Sequence, residues 1–300
     1  MKHRNTQDRI EPGELTAGAL RSLVCPSCRA ALEGPPEGAV RGPVRCSGCG
    51  ESWPFSGGFL RLYRESEVKG TDRLMRALYD AVPALHDPAT HYLLPLLQLG
   101  GSERGMRDAY MKRVDLGSLK ARPDGSSTSA RILEIGVGSG ANLSLLARDL
   151  PPQLKAEVWG IDLSEGMLKQ CVRWLKDGLI GSGIEARLLM ADAHALPFPD
   201  GFFDRVFHVG ALGSFRDPRR ALAEMARVAR PGTPIVVVDE QLDRSRKNTL
   251  YHRAAFRLLT FYDSDPHCPR ELLPEGATGI IDEQISRFYY CLTFKMPATS

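Results

Sequence analysis

The sequence predicts an α/β protein, in which helices cover both faces of a mostly parallel sheet and a small metal-binding ribbon comes first. Two patterns indicate this architecture. From residue 131 onward, short apolar runs alternate with amphipathic stretches of helical period, as in repeated β–α units. Within the first fifty residues, Cys25 and Cys28 form one C-x-x-C pair, and Cys46 and Cys49 form another.

The composition is that of a folded globular protein. The 300 residues are 43% hydrophobic and 25% charged, which excludes fibrous and disordered classes and suggests about two domains. The 39 basic and 36 acidic residues leave a net charge of +3, so charge alone nominates no nucleic-acid or membrane partner. No signal peptide and no apolar run of about 18 residues is evident, so we expect a cytoplasmic protein without a membrane span.

Changes in composition along the sequence divide the chain into four segments. We predict a flexible N-terminus over residues 1–22, a zinc ribbon over 23–63, a helical connector and linker over 64–130, and the sheet domain over 131–300. Apolar residues in the third segment recur at helical spacing, from Leu74 and Leu78 to Leu96 and Leu97. The Pro-, Gly- and Ser-rich stretch 121–130 has the composition of a linker and marks the last boundary.

Seven strands are predicted in the sheet domain. They cover 131–135, 156–161, 185–190, 204–209, 233–240, 278–282 and 285–296, and the last two form a hairpin. Helices are predicted over 141–150, 164–178 and 217–230, and Ser164 and Asp217 are candidate N-caps for the last two.

A glycine-rich turn follows the first strand of this domain and leads directly into a helix. Gly136, Gly138 and Gly140 let the backbone turn sharply and approach a ligand, and the helix that follows offers unpaired N–H groups. Asp162, which ends the second strand, can accept hydrogen bonds from both hydroxyls of a ribose. Together these features predict a nucleoside cofactor.

The glycines alone leave the choice of cofactor open. Gly136, Gly138 and Ala141 also satisfy the dinucleotide fingerprint G-x-G-x-x-G/A. Two further features favour a nucleoside cofactor other than a dinucleotide. Glu134 stands two residues before the first glycine, and Asp192 directly follows the third strand, where its carboxylate can meet the edge of an adenine.

The motifs ILEIGVGSG, GIDLSEGML, ADAHALPFPDGFFDRVF and LAEMARVARPGTPIVVVDE resemble, in order, those of class I S-adenosylmethionine-dependent methyltransferases. The resemblance covers roughly residues 131–240 and is greatest to the branch of ubiquinone-biosynthesis and other small-molecule enzymes. It implies a Rossmann-like fold and S-adenosylmethionine as the cofactor. The cofactor-binding residues that it implies are Glu134, Gly136, Gly138, Gly140, Asp162, Leu163, Met167, Asp192, Ala193 and His208.

The catalytic group is not evident from the sequence. Family members commonly carry a histidine or an aromatic residue after the fourth strand, where this chain has Gly213 and Ser214. His208, His252 and His267 are the remaining candidate bases, and we expect the connector at 70–120 and residues 241–283 to cover the acceptor. Methyl transfer also depends on alignment, so it needs a base only where the acceptor must lose a proton.

The two cysteine pairs predict a structural zinc ion. Four thiolates close a tetrahedral site and leave no exchangeable position, so Cys25, Cys28, Cys46 and Cys49 are the expected ligands and a catalytic zinc is not expected. Four thiols without a metal are the alternative.

The ribbon resembles modules found before some bacterial methyltransferases, including an rRNA guanine methyltransferase group, and a separate subunit that activates tRNA and protein methyltransferases. In the rRNA group a histidine is the fourth ligand, where this chain has Cys49. We therefore expect methyl transfer to a small molecule, with rRNA or tRNA as the alternative acceptor. A protein partner at the ribbon and a non-catalytic cofactor-binding role also stay open.

Overall fold

The computed structural model describes residues 13–81, 83, 103–120, 130–178 and 183–298. Part of the predicted connector, from 84 to 102, lies outside this range together with Leu96 and Leu97. So do residues 1–12 and the linker 121–129. Among the described residues, no helix has the length and apolar character needed to cross a membrane.

The central sheet contains all seven predicted strands. They are β6 (Ala130–Ile135), β7 (Ala156–Asp162), β8 (Ile184–Ala191), β9 (Arg205–Val209), β10 (Ile235–Glu240), β11 (Thr278–Gln284) and β12 (Tyr289–Lys295). Strands β6 to β10 run parallel to one another, and β12 pairs antiparallel with both β10 and β11. The parallel strands are buried on both faces, which explains their nearly continuous apolar runs.

The sheet has nine strands in the described residues, whereas the sequence analysis predicted seven. The order is β11–β12–β10–β9–β6–β7–β8–β5–β4, and the two additional strands are β4 (Phe55–Ser56) and β5 (Phe59–Leu62). Strand β5 runs parallel to β8, with Leu62 opposite Ala191. Residues 55–62 were assigned to the ribbon because the cysteine knuckles precede them directly, but their apolar side chains complete the edge of the sheet.

Helices cover both faces of the sheet. The helices among the described residues are α1 (Ala17–Leu20), α2 (Gly70–Ala81), α3 (Glu103–Val114), α4 (Leu143–Asp149), α5 (Glu165–Gly178), α6 (Pro218–Val228) and α7 (Leu250–Leu259). Both predicted caps are formed. The Ser164 hydroxyl accepts a hydrogen bond from Met167 N, and the Asp217 carboxylate accepts one from Arg220 N.

The ribbon is a three-stranded antiparallel sheet packed on the larger one. Its strands are β1 (Leu32–Glu33), β2 (Val44–Cys46) and β3 (Ser52–Trp53). Leu23 and Trp53 belong to the same buried cluster as Trp159 and Phe198 of the sheet domain. Val24 N also donates to Pro197 O over 3.1 Å, so the ribbon and the sheet domain share one continuous core.

The described part of the predicted flexible N-terminus is packed. Leu15 and Leu20 are buried, Thr16 caps α1, and Gly13 O accepts a hydrogen bond from Leu188 N beside β8. The polar composition of residues 1–22 suggested a loose segment, but a few buried apolar side chains hold residues 13–22 against the core.

Candidate active site

The glycine loop lies at the carboxyl edge of the parallel sheet, the edge where ligands bind in such folds. Gly136, Gly138 and Gly140 have φ angles of +67°, +54° and +86°, a region that side chains with a Cβ rarely enter. The chain can therefore leave β6 and begin α4 within a few residues, which turns the loop toward the end of β7.

The three glycines meet different surroundings. A Cβ on Gly138 would lie 3.2 Å from Met167 Cε, and one on Gly136 would lie 3.4 Å from the His208 ring. A Cβ on Gly140 would lie only 2.7 Å from Cys171 Sγ. Gly136 and Gly138 line the cavity described below, whereas Gly140 is outside its lining and allows α5 to pack closely against the loop.

Asp162 fixes the loop from the end of β7. One carboxylate oxygen accepts a hydrogen bond from Gly138 N over 2.9 Å, and the other accepts one from Ser164 N over 2.8 Å. Asp162 is half-buried and lines the cavity. Its position at the strand end is the one that the ribose prediction requires, and its backbone contacts add a second role as an anchor of the loop.

Glu134 is a buried carboxyl group beneath the loop. It is 1% exposed and accepts a hydrogen bond from Asn142 Nδ2 over 2.6 Å, and burial raises its pKa to about 8. Asn142 Oδ1 in turn accepts hydrogen bonds from Tyr110 Oη and Arg107 Nη1 of α3. The sequence analysis missed this network because its members are spread over 35 residues with no recognisable spacing.

The Asp192 carboxylate accepts three hydrogen bonds from neighbouring protein groups. It accepts hydrogen bonds from His194 N, from His194 Nδ1 at 2.5 Å and from Arg216 Nη2 at 2.6 Å. Burial alone would raise the pKa of Asp192, but these hydrogen bonds lower it to about 2. Arg216 also pairs with Asp72 of α2, so it joins that helix to the end of β8.

His208 is the one histidine of the three candidate bases that lines the cavity among the described residues. It is 1% exposed, and Nδ1 donates a hydrogen bond to Ile135 O over 2.8 Å. Nε2 therefore carries the lone pair, and this buried atom has no hydrogen-bond partner within the described part of the chain. Burial lowers the pKa of His208, which keeps the ring neutral near pH 7.

The structure places His252 and His267 away from the cavity, which corrects their nomination as bases. His252 Nδ1 accepts a hydrogen bond from Thr249 N, so this histidine completes a capping box at the start of α7. His267 is exposed and contacts Asp265 and Glu271. From residues 241–283, Leu259, Phe261 and Tyr262 reach the cavity instead.

One cavity of about 370 Å³ joins the glycine loop to a second, more apolar region, and its volume lies in the range of small-molecule sites. The predicted cofactor residues that line it are Glu134, Gly136, Gly138, Asp162, Leu163, Met167, Asp192, Ala193 and His208. The opposite side, here named the tyrosine wall, consists of Tyr79, Glu240, Leu259, Phe261, Tyr262 and Tyr289. None of the residues of this wall was among the site residues predicted from the sequence.

The four ribbon cysteines form a separate cluster outside the cavity. The ligand atoms of Cys25, Cys28, Cys46 and Cys49 lie within 4.8 Å of one another, with Sγ–Sγ distances of 3.8 Å between Cys25 and Cys49 and 3.4 Å between Cys28 and Cys46. A tetrahedral zinc site with bonds of about 2.3 Å has edges of about 3.8 Å. The cluster therefore has the donor atoms and the dimensions of such a site.

The sheet domain is similar in sequence to known methyltransferases. Residues 133–237 match the family model of a methyltransferase domain. The ubiquinone/menaquinone biosynthesis C-methyltransferase of Burkholderia mallei is 33% identical over 155 residues, which cover 51% of this chain and 57% of that protein. The chain thus matches little more than half of this relative's length.

A solved structure shows the same fold at lower sequence identity. It is a chain of the complex between the Haloferax volcanii Trm112 methyltransferase activator and a methyltransferase, with a TM-score of 0.51 and 16% identity over 75% of this chain and 98% of that one. The predicted Rossmann-like α/β fold is confirmed, and the match to the methyltransferase model lies within its sheet.

The buried carboxyl group of Glu134 predicts a specific pH dependence of stability. The unfolded chain ionises this group near pH 4.3, whereas the folded chain keeps the proton up to about pH 8, so stability is lost as pH rises between these values. We predict that raising the pH from about 5.5 to about 7.5 shifts the difference in unfolding free energy between Glu134→Gln and the wild type by about 2 kcal/mol in favour of the variant.

Urea unfolding followed by tryptophan fluorescence at both pH values measures this difference. The exposed Glu275→Gln serves as the control and should track the wild type at both values. Parallel behaviour of Glu134→Gln and the wild type would contradict the prediction.

Proposed function

We propose that the protein is an S-adenosylmethionine-dependent methyltransferase that acts on a small molecule. The observation that carries this proposal is the continuous cavity, which places the glycine loop and the tyrosine wall around one space. A cofactor on the loop and an acceptor against the wall would share that space, as a direct transfer between them requires.

The loop fits the cofactor in shape and in polarity. Gly136 and Gly138 leave the backbone bare where it lines the cavity, and Asp162 provides a carboxylate for ribose hydroxyls. Glu134 Oε2 is buried without a hydrogen-bond partner among the described residues, so it can form a hydrogen bond with a ligand. When bound, S-adenosylmethionine supplies an electrophilic methyl group.

The contribution of the chain is mainly to orient the reactants and exclude water. Met75, Met106, Leu259 and Phe215 give the cavity an apolar lining, and α2 and α3 contribute to its walls. The neutral ring of His208 presents Nε2, which can accept a proton or a hydrogen bond from the acceptor.

The Burkholderia mallei relative supports a small-molecule acceptor, since its name assigns it to quinone biosynthesis. The RNA and protein partners considered from the sequence gain no support from this relative.

Methyl-labelled cofactor tests the acceptor class directly. We predict that purified protein incubated with labelled S-adenosylmethionine and a bacterial extract transfers label to the small-molecule or lipid fraction. Asp162→Ala should lower the transfer at least about tenfold, because it removes both a cofactor contact and an anchor of the loop. Label in the RNA or protein fraction, or label that is insensitive to this substitution, would contradict the proposal.

We further propose that the cysteine cluster binds one structural zinc ion. Gly48 N and Cys49 N each donate to Cys46 Sγ at 3.4 Å, as backbone amides do around a thiolate ligand. Because the ribbon shares a core with the sheet domain, loss of the ion should loosen Leu23 and Trp53 and the contact they make with that domain.

Metal analysis tests the zinc site. We predict about one zinc per chain in the wild type and almost none in Cys46→Ser. Cys268 is a buried cysteine outside the cluster, so the control variant Cys268→Ser should keep its zinc. A folded wild-type protein purified without chelators and free of zinc would overturn the assignment.

A further inference from the structure

A second pair of carboxyl groups lies at the carboxyl end of β10, separate from those near the glycine loop. Asp239 and Glu240 are 4% and 8% exposed. The sheet order places β9 between β10 and β6, so the two strand ends are about 10 Å apart at normal strand spacing. Glu240, the member of the pair that lines the cavity, therefore lies apart from the glycine loop, on the side that the acceptor would occupy.

Asp239 and Glu240 differ in their surroundings. Asp239 Oδ2 accepts a hydrogen bond from Gly213 N over 2.7 Å, and burial together with the neighbouring Glu240 raises the pKa of Asp239 well above its usual range. These surroundings favour the neutral form of Asp239. Glu240 belongs to the cavity lining, whereas Asp239 does not.

The neighbours of Glu240 are phenols. Tyr289 Oη donates to Glu240 Oε1 over 3.4 Å, and Tyr262 and Tyr79 stand in the same wall. Burial and the charge of Glu240 raise the pKa of all three tyrosines, so they stay neutral. Among the described residues, no Lys, Arg or His nitrogen is found within 4 Å of this carboxylate.

The arginines in the cavity lining are engaged elsewhere. Arg76 pairs with Glu65 and donates to Tyr63 Oη, and Arg107 donates to Asn142 Oδ1. A buried carboxylate without a cation is costly, and a cationic ligand can supply the missing charge.

His208 gives a second, independent indication of a ligand that donates hydrogen bonds. Its Nε2 is buried, has no hydrogen-bond partner among the described residues and belongs to a side chain that lines the cavity. His208 lies opposite Val237 on the neighbouring strand β10, two residues before Asp239. An acceptor molecule at the carboxyl ends of β9 and β10 would thus meet a carboxylate, an imidazole lone pair and three aromatic rings.

We propose that the tyrosine wall binds a compact amine in its ammonium form, with the nitrogen against the Glu240 carboxylate. Aromatic rings with a carboxylate are a common environment for ammonium ions, and the apolar side chains Met75, Leu259 and Phe261 suit a hydrocarbon body. This inference rests on the proposed function and narrows its acceptor class.

Calorimetric titration of the protein saturated with S-adenosylhomocysteine tests the inference without relying on turnover. The probes are phenethylamine, its neutral isostere 2-phenylethanol and the anion phenylacetate. We expect the amine to bind at least about tenfold more tightly than the alcohol and the anion, since a buried charged hydrogen bond contributes on this scale.

Two variants locate the charge. Glu240→Gln keeps the shape of the side chain and should abolish the preference for the amine while the affinity for S-adenosylhomocysteine stays within about twofold. Glu275→Gln, an acid-to-amide change at an exposed position, should retain the preference. No amine binding at millimolar concentration, equal binding of amine and alcohol, or an undiminished preference in Glu240→Gln would overturn the inference.

The same titrations separate this inference from the proposed function. If the wild type fails to bind S-adenosylmethionine and S-adenosylhomocysteine, the proposed function fails and the inference fails with it. If both cofactor forms bind but the amine has no advantage, the proposed function stands and the amine specificity alone is refuted.

Discussion

The backbone conformation of the glycine loop is the constraint on which the rest of the site depends. Three positive φ angles between Gly136 and Gly140 let the chain pass from a buried strand into α4 without side chains in the way. Met167 and Cys171 of α5 pack directly onto this loop. Asp162 holds it from the neighbouring strand, so the ends of β6 and β7 form one rigid cradle.

Helices outside the methyltransferase match complete the cavity through buried polar contacts. Tyr110 of α3 reaches the loop through Asn142 and Glu134, and Asp72 of α2 reaches the end of β8 through Arg216. Burying charges is costly unless they are paired, so these contacts favour one docked position for each helix. They also bring Tyr79 and Met75 of α2 over the carboxyl edge of the sheet.

Much of the fold could be predicted from the sequence because local signals agreed with the global arrangement. The apolar runs gave the seven strands from Ala130 to Lys295, and glycine spacing located the loop. Strand β5 was misassigned because Phe59–Leu62 pairs with β8, more than 120 residues away, and a long-range pairing leaves no local signal. His252 and His267 were nominated by residue type alone, and their roles depend on neighbours that only the structure reveals.

Titration of S-adenosylmethionine into wild type, Gly138→Ala and Gly232→Ala tests the central claim most directly. Both glycines have positive φ, +54° and +81°, but a Cβ on Gly138 would meet Met167 at 3.2 Å, whereas one on Gly232 would find no atom within 4 Å. We predict equal affinity for the wild type and Gly232→Ala and at least about tenfold weaker binding by Gly138→Ala. Equal affinity in all three proteins, or no binding by the wild type, would contradict the assignment of the loop as the cofactor site.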